Sequence, residues 1–206
     1  VPTHRVENQR AMIRQTIEAI HQTTGAPCQG WLGPGLTETL ETPDLLAAAG
    51  IRYIADWVVD DLPCRLQTAH GDVLTMPYSV ELNDIPVNMI QHHPAGEFSA
   101  RTLATARRLA AEARSSGPLA NAKIMSFAVH AYITGVPHRI GMLEDLLDRL
   151  LSEGDLMFMQ GREIMDWYLA SSPHASAPCP ADGDGGGGRA PVLDPFGNTG
   201  PLVGPQ

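Results

Sequence analysis

The chain has 206 residues, which suits one domain with a sizeable core, and its 14 basic against 23 acidic side chains give a formal net charge of -9. No cluster of basic residues offers a surface for phosphates or for an anionic membrane, so we expect neither nucleic acid nor membrane as a partner. No apolar run reaches the roughly 18 to 20 residues of a membrane helix, and the odd number of cysteines argues against a complete disulfide framework, which favours a cytoplasmic protein.

The first half of the chain alternates helical patterns with short apolar runs. Isoleucines at helical spacing predict a helix over residues 3–24, ended by Gly25. A second helix is predicted over 42–50, with Thr42 as its N-cap and Pro43 in its first turn. Apolar runs rich in β-branched residues predict strands at 27–33, 51–59, 72–82 and 85–90.

The second half repeats a strand and helix alternation. Leucines and alanines at helical spacing predict helices over 99–115, 141–154 and 161–171. Continuous apolar runs predict buried strands at 123–129 and 155–160. Such alternation indicates an α/β fold with a largely parallel sheet, in which the ends of the strands gather at one edge. The candidate residues at that edge are Trp31, Asp56, Glu81 and His130.

The C-terminal residues have a different composition from the rest of the chain. Gly, Pro, Ala and Ser dominate residues 171–206, and such a segment buries too little apolar surface to offset the entropy of ordering it. We therefore expect one domain over 1–170 followed by a flexible tail.

Several motifs occur in order along the domain: "GWLGPG", "ADWVVDD", "MPYSVELNDIP", "AVHAYITGVPHR" and "GREIMDWY". Together they resemble the polysaccharide deacetylase superfamily, which shares the NodB homology domain, and in particular its allantoinase-like and cyclic-imide-hydrolase-like branch. The resemblance implies a distorted (β/α) barrel that hydrolyses C–N bonds, usually with a divalent metal that activates water.

The metal-binding motifs of that superfamily, a base and metal aspartate followed by His-x-x-x-His, are absent from this sequence, and His4 has no partner at the right spacing. We therefore expect an N-terminally truncated barrel, with residues 1–170 as its C-terminal portion. No metal ligand is assigned in this chain, and a cofactor such as zinc is expected only in a longer protein. The neighbouring His92 and His93 point to opposite faces of an extended segment and do not suggest a metal site.

The resemblance implies that His130 protonates the leaving nitrogen after water has attacked the carbonyl carbon. An imidazole suits this task because it can hold and release a proton near neutral pH. Asp56 and Arg139 are the further catalytic candidates, although Arg139 also fits a surface charge at a helix start. The branch has proline after this histidine, whereas this chain has Ala131.

The other site candidates follow the same motifs and are predicted to bind substrate. They are Trp31, Gly33, Asp60, Asp61, Glu81, Asn83, Asp84, Tyr132 and His138. The alternative for most of them is structural, because aspartates are common in exposed loops and Asn and Asp often cap turns.

Two functions of different kinds are consistent with these residues. The first is a hydrolase that acts on a small cyclic amide, ureide or imide, or on an N-acetylated sugar. The second is a catalytically incomplete fragment or pseudoenzyme with a structural or partner-binding role, whose open sheet edges would favour a homo-oligomer. A binding module on an unrelated α/β fold is a third alternative.

Overall fold

The computed structural model describes residues 2–116 and 121–171, so the predicted tail lies outside the described residues except for Ser171. The fold is mixed α/β, as the sequence predicts. Its helices are α1 (Gln9–Thr24), α2 (Thr42–Ala48), α3 (Ala95–Ala113), α4 (Ile140–Ser152) and α5 (Gly161–Ser171). Its strands are β1 (Gly30–Trp31), β2 (Tyr53–Ile54), β3 (Cys64–Leu66) and β4 (Val73–Thr75).

The strands form an open sheet in the order β1-β2-β4-β3. β2 pairs in parallel with β1 and with β4, whereas β3 pairs antiparallel with β4. A short connection between two strands permits only antiparallel pairing, which accounts for β3. The sequence predicts a distorted barrel, but the sheet of the described residues is open and does not close into one.

The helical patterns are largely confirmed, with one correction at the first helix. α1 begins at Gln9 because Asn8 caps it, accepting a hydrogen bond of 2.9 Å from the backbone N–H of Ala11. The residues before it form a short 3-10 helix, Thr3–Arg5. Gly25 ends α1 in the left-handed region at φ 69°, which a glycine adopts without steric cost.

Two clusters of buried apolar side chains attach helices to the sheet, and a third joins two helices to each other. Ile13 of α1 and Leu46 of α2 pack with Ile54 of β2. Met165 of α5 packs with Leu74 at β4. The third cluster joins α3 to α4 and includes Phe98, Leu103, Leu146 and Leu150. The clusters fix the strands, so the residues that follow the strands have defined positions.

No helix in the described part of the chain is both long enough and apolar enough to cross a membrane.

Three of the predicted strands add no strand to the sheet, the other three are shorter than predicted, and β3 was not predicted. Residues Ile85–Ile90 form a π-helix instead of a strand. The run 123–129 is extended but makes only one isolated bridge, between Asn83 and Ala128. Residues 155–160 form no strand, and Met157 in their centre is 80% exposed. An apolar run becomes a strand only where a neighbouring strand is available to pair with it, and these runs have none over most of their length.

The bridge between Asn83 and Ala128 nevertheless places the candidate residues. The N–H of Ala128 donates to the carbonyl of Leu82 over 2.9 Å, and the N–H of Asp84 donates to the carbonyl of Ala128 over 3.1 Å. These bonds hold residues 82–84 beside residues 128–130. As a result, His130 comes next to Asp84, although 46 residues separate the two in the sequence.

Candidate functional site

His130 and Asp84 form a hydrogen-bonded pair where residues 128–130 meet residues 82–84. Nδ1 of the His130 ring lies 2.6 Å from Oδ1 of Asp84. The Asp84 side chain is completely buried, while that of His130 is 34% exposed. A buried carboxylate beneath a partly exposed imidazole fixes the orientation of the ring and leaves its far edge, with Nε2, free for other contacts.

The second oxygen of Asp84 has two further donors. Its Oδ2 accepts from the backbone N–H of His130 over 2.8 Å and from the hydroxyl of Thr134 over 2.6 Å. Thr134 is itself buried, and its own N–H donates to the carbonyl of His130. Three donors therefore converge on Asp84, so that the carboxylate is hydrogen-bonded throughout although no water reaches it.

This pairing determines which ring nitrogen of His130 carries the proton. A carboxylate accepts hydrogen bonds and cannot donate them, so Nδ1 must be the donor to Asp84. In the neutral ring, Nε2 is then the bare nitrogen and can take a proton from a group above it. After protonation the ring can return that proton from the same atom.

The predicted catalytic residue Arg139 supports the turn behind His130. Its guanidinium donates to the carbonyl of Ile133 over 3.1 Å, and the N–H of Ile133 donates to the carbonyl of His130 over 2.9 Å. No carboxylate among the described residues pairs with Arg139 within ion-pair distance. Its contacts make it a residue that holds the turn from His130 to Thr134.

Asp56, the third predicted catalytic residue, lies at a second cluster beyond the end of β2. Both of its oxygens accept from the single backbone N–H of Gly33, at 2.9 and 2.8 Å. A Cβ atom on Gly33 would lie 2.6 Å from Oδ1 of Asp56, so only glycine permits this approach. The loop after β1 is therefore tied directly to the loop after β2.

Glu38 faces Asp56 in this cluster and is the main residue that sequence reasoning missed. Burial and the neighbouring carboxylate of Asp56 raise the pKa of Glu38 to about 8. Burial also raises the pKa of Asp56, although its hydrogen bonds to Gly33 and Glu38 act in the opposite direction. Burial is the main cause of both effects, because it disfavours the charged form of each carboxyl group.

The two oxygens of Glu38 differ in their partners. Oε2 accepts from the indole N–H of Trp57 over 2.7 Å, whereas the buried Oε1 has no partner among the described residues. The Nε1 of Trp31, which is 7% exposed at the end of β1, is a second buried polar atom without a partner among the described residues.

Tyr78 connects the two clusters. Its hydroxyl accepts from the side-chain amide of Asn83 over 3.0 Å. Burial raises the pKa of Tyr78, and the carboxylates of Asp84 and Asp56 raise it further. The carboxylates of both clusters therefore act electrostatically on one hydroxyl group, that of Tyr78.

The remaining predicted residues have mixed positions. Tyr132 is 67% exposed, and its ring meets that of His130 edge to face with centroids 5.6 Å apart. Asn83 uses both ends of its amide, since its oxygen also accepts from the N–H of Ile85. The others are solvent-exposed and make no contact with His130: Asp60, Asp61, Glu81 and His138.

The sequence predicts that His130 lies beside the acidic residues Asp56 and Glu81. In the structure, the carboxylate that contacts His130 is Asp84. Because it is buried beneath the ring, we assign it an orienting role instead of the predicted contact with substrate.

The described residues do not offer a ligand set for the metal that the resemblance implies. Within 2–116 and 121–171, no three side chains of His, Cys, Asp or Glu lie close enough together to hold an ion. We therefore assign no residue in these ranges to a metal.

No protein-family model matches the sequence, and no curated protein matches it. Among solved structures, one of a presumed polysaccharide deacetylase from Mycobacterium smegmatis has a TM-score of 0.63 at 20% identity, covering 82% of this chain and 59% of that chain. This chain shares its fold. A 4-alpha-glucanotransferase from Thermococcus litoralis has a TM-score of 0.52 at 16% identity, covering 81% of this chain and 26% of that chain. The chain thus spans less than two thirds of either protein.

Proposed function

We propose that this chain carries the proton-transfer machinery of a hydrolase of the polysaccharide deacetylase superfamily that cleaves non-peptide C–N bonds. The observation that carries the proposal is the bond between His130 and the buried Asp84, which leaves Nε2 of a partly exposed ring without a partner among the described residues. The fold shared with a presumed deacetylase supports the same class of reaction.

The reaction follows from the tautomer of His130. As water adds to the carbonyl carbon of the substrate, the bare Nε2 takes a proton from that water and a C–O bond forms. The imidazolium then gives the proton to the nitrogen of the substrate, and the C–N bond breaks. Asp84 stabilises the transient positive charge of the ring. The products are a carboxylic acid and the protonated leaving nitrogen as an N–H group, and both remain on one ring-opened molecule where the substrate is cyclic.

The second cluster supports a small, uncharged substrate. Burial raises the pKa of both Glu38 and Asp56, so their surroundings disfavour a charged group bound against them. The indole of Trp57 is 37% exposed beside them and offers an apolar surface. Cyclic amides, ureides and imides fit this description, as do N-acetyl sugars, and we propose the small cyclic compounds as the preferred class.

The test compares wild type with His130→Ala on succinimide, dihydrouracil, allantoin and N-acetylglucosamine, with and without added Zn²⁺. We expect turnover of at least one compound, and a loss of about 10²- to 10⁴-fold in kcat for the variant because both proton transfers use the ring. Quantitative NMR of the products measures the rate.

The matched control is His70→Ala, which removes an exposed imidazole from the loop between β3 and β4. It is expected to keep wild-type turnover. Unchanged turnover in His130→Ala would remove the ring from the mechanism. If the wild type hydrolyses none of these compounds, the result favours the alternative of a catalytically incomplete chain.

A further inference from the structure

Tyr78 presents a hydroxyl proton that no described residue accepts. The hydroxyl oxygen is held by the amide of Asn83 at 3.0 Å, and Asn83 is itself fixed by the N–H of Ile85 at 2.8 Å. An amide N–H donates, so the Tyr78 oxygen is the acceptor in that contact, and its own O–H is left to donate elsewhere. Among residues 2–116 and 121–171, no acceptor lies within hydrogen-bond distance of it.

The nearby carboxylates do not use this proton. Asp84 accepts from His130 and Thr134, and both oxygens of Asp56 accept from the N–H of Gly33. Their negative charge nevertheless raises the pKa of Tyr78, as burial does, so the phenol keeps its proton over the physiological range. Tyr78 is therefore an O–H donor that Asn83 holds, and Asn83 is the chain neighbour of the Asp84 that contacts His130.

We propose that the Tyr78 hydroxyl binds the carbonyl oxygen of the substrate and stabilises the negative charge that forms there when water adds. This inference rests on the proposed hydrolase function and adds a catalytic residue to it. Tyr78 donates a hydrogen bond throughout and does not transfer its proton. His130 takes a proton from the water and gives it to the leaving nitrogen, while Tyr78 donates a hydrogen bond to the oxygen of the same carbonyl group.

The hydroxyl is well suited to this role because it is held before the substrate arrives. A donor that is already oriented toward a developing oxyanion costs no reorganisation during the reaction, and the loss of one such donor typically lowers kcat by about 10²- to 10³-fold. Asn83 then has a positioning role, since its amide sets the direction in which the Tyr78 hydroxyl can donate.

The kinetic test is Tyr78→Phe on a compound that wild type hydrolyses. We expect kcat to fall about 10²- to 10³-fold with a smaller change in KM, because the bond strengthens in the transition state. The matched control is Tyr53→Phe, which removes a hydroxyl that packs against Gly161. Wild-type kcat in Tyr78→Phe would overturn the assignment while leaving the proposed hydrolase intact.

A second test does not depend on activity. Protein labelled with ¹³C at Cζ of its four tyrosines is titrated with acetamide, a neutral carbonyl compound, and the Tyr78 signal is assigned from single Phe variants of Tyr53, Tyr132 and Tyr168. We expect a saturable shift of the Tyr78 signal that Asn83→Ala weakens. A Tyr78 signal that stays in place, or moves only in proportion to exposed Tyr132, overturns the inference. A saturable shift in a protein without turnover supports carbonyl binding and contradicts only the hydrolase.

Discussion

Asp84→Asn is expected to lower kcat by about 10²- to 10⁴-fold, because an amide cannot hold His130 in the same tautomer. The carboxylate accepts from the His130 ring, from the His130 backbone and from the Thr134 hydroxyl. An asparagine offers one accepting oxygen, and its NH₂ group would face at least one of these donors. The measurement is the rate on any compound that wild type hydrolyses.

The same substitution is expected to reduce the free energy of unfolding by about 1–3 kcal/mol, since a buried donor loses its acceptor. Urea unfolding measures this part of the effect. Asp166→Asn is the matched control, because that carboxylate is 66% exposed and lies 3.8 Å from Arg52 on the surface. An Asp84→Asn protein with wild-type kcat would show that His130 does not require its buried partner.

Glu38→Gln is expected to remove most of a pH dependence of stability that wild type shows between about pH 5 and about pH 8. Glu38 has a pKa raised from 4.5 to about 8 in the folded protein. Between these values the folded chain keeps a proton that the unfolded chain has lost, so the stabilising contribution is complete below about pH 4.5 and disappears as the pH rises to about 8. The slope reaches at most about 1.4 kcal/mol per pH unit.

A glutamine resembles the protonated carboxyl group at every pH, since its NH₂ can donate to Asp56 and its oxygen can accept from Trp57. Urea unfolding at several pH values compares it with wild type and with Glu41→Gln, which changes an exposed neighbour. We expect the gain from Glu38→Gln to grow with pH, by roughly 1–3 kcal/mol between about pH 5 and about pH 8. Parallel pH curves for the two proteins would show that the folded chain does not keep a proton on Glu38 in this pH range.

The helices were predictable because their information is local. α3, α4 and α5 lie within a few residues of the predicted ranges, since the spacing of leucines and alanines marks one face of each helix. The strands were predicted too long because pairing partners are not local. The run 123–129 has the composition of a buried strand, yet it finds a partner only where Ala128 meets Asn83.

The site was predictable as a set of motifs but not as a set of contacts. His130, Asp84 and Asp56 were identified from the sequence, whereas the 2.6 Å contact between His130 and Asp84 required the bridge that brings residues 128–130 beside 82–84. Thr134 could have been suggested by its position one helical turn after His130. Glu38 and Tyr78 carried no local signal, because their properties arise from carboxylates on other loops.

Two carboxylates of this chain thus differ in role because their surroundings differ. Asp84 is met by donors alone and serves to orient an imidazole. Asp56 accepts from the N–H of Gly33, and burial raises its pKa. The two carboxylates differ because the fold brings different loops together: Gly33 lies opposite Asp56, and His130 lies opposite Asp84.

The central claim is that Asp84 holds the His130 ring with its proton on Nδ1 and with Nε2 bare. Nitrogen-15 NMR of histidine-labelled protein, at a pH where the ring is neutral, reports directly which nitrogen carries the proton. We predict an Nδ1–H signal for His130 that Asp84→Asn removes and that Asp166→Asn leaves in place. A His130 ring with its proton on Nε2, or one that is unchanged by Asp84→Asn, would contradict the account.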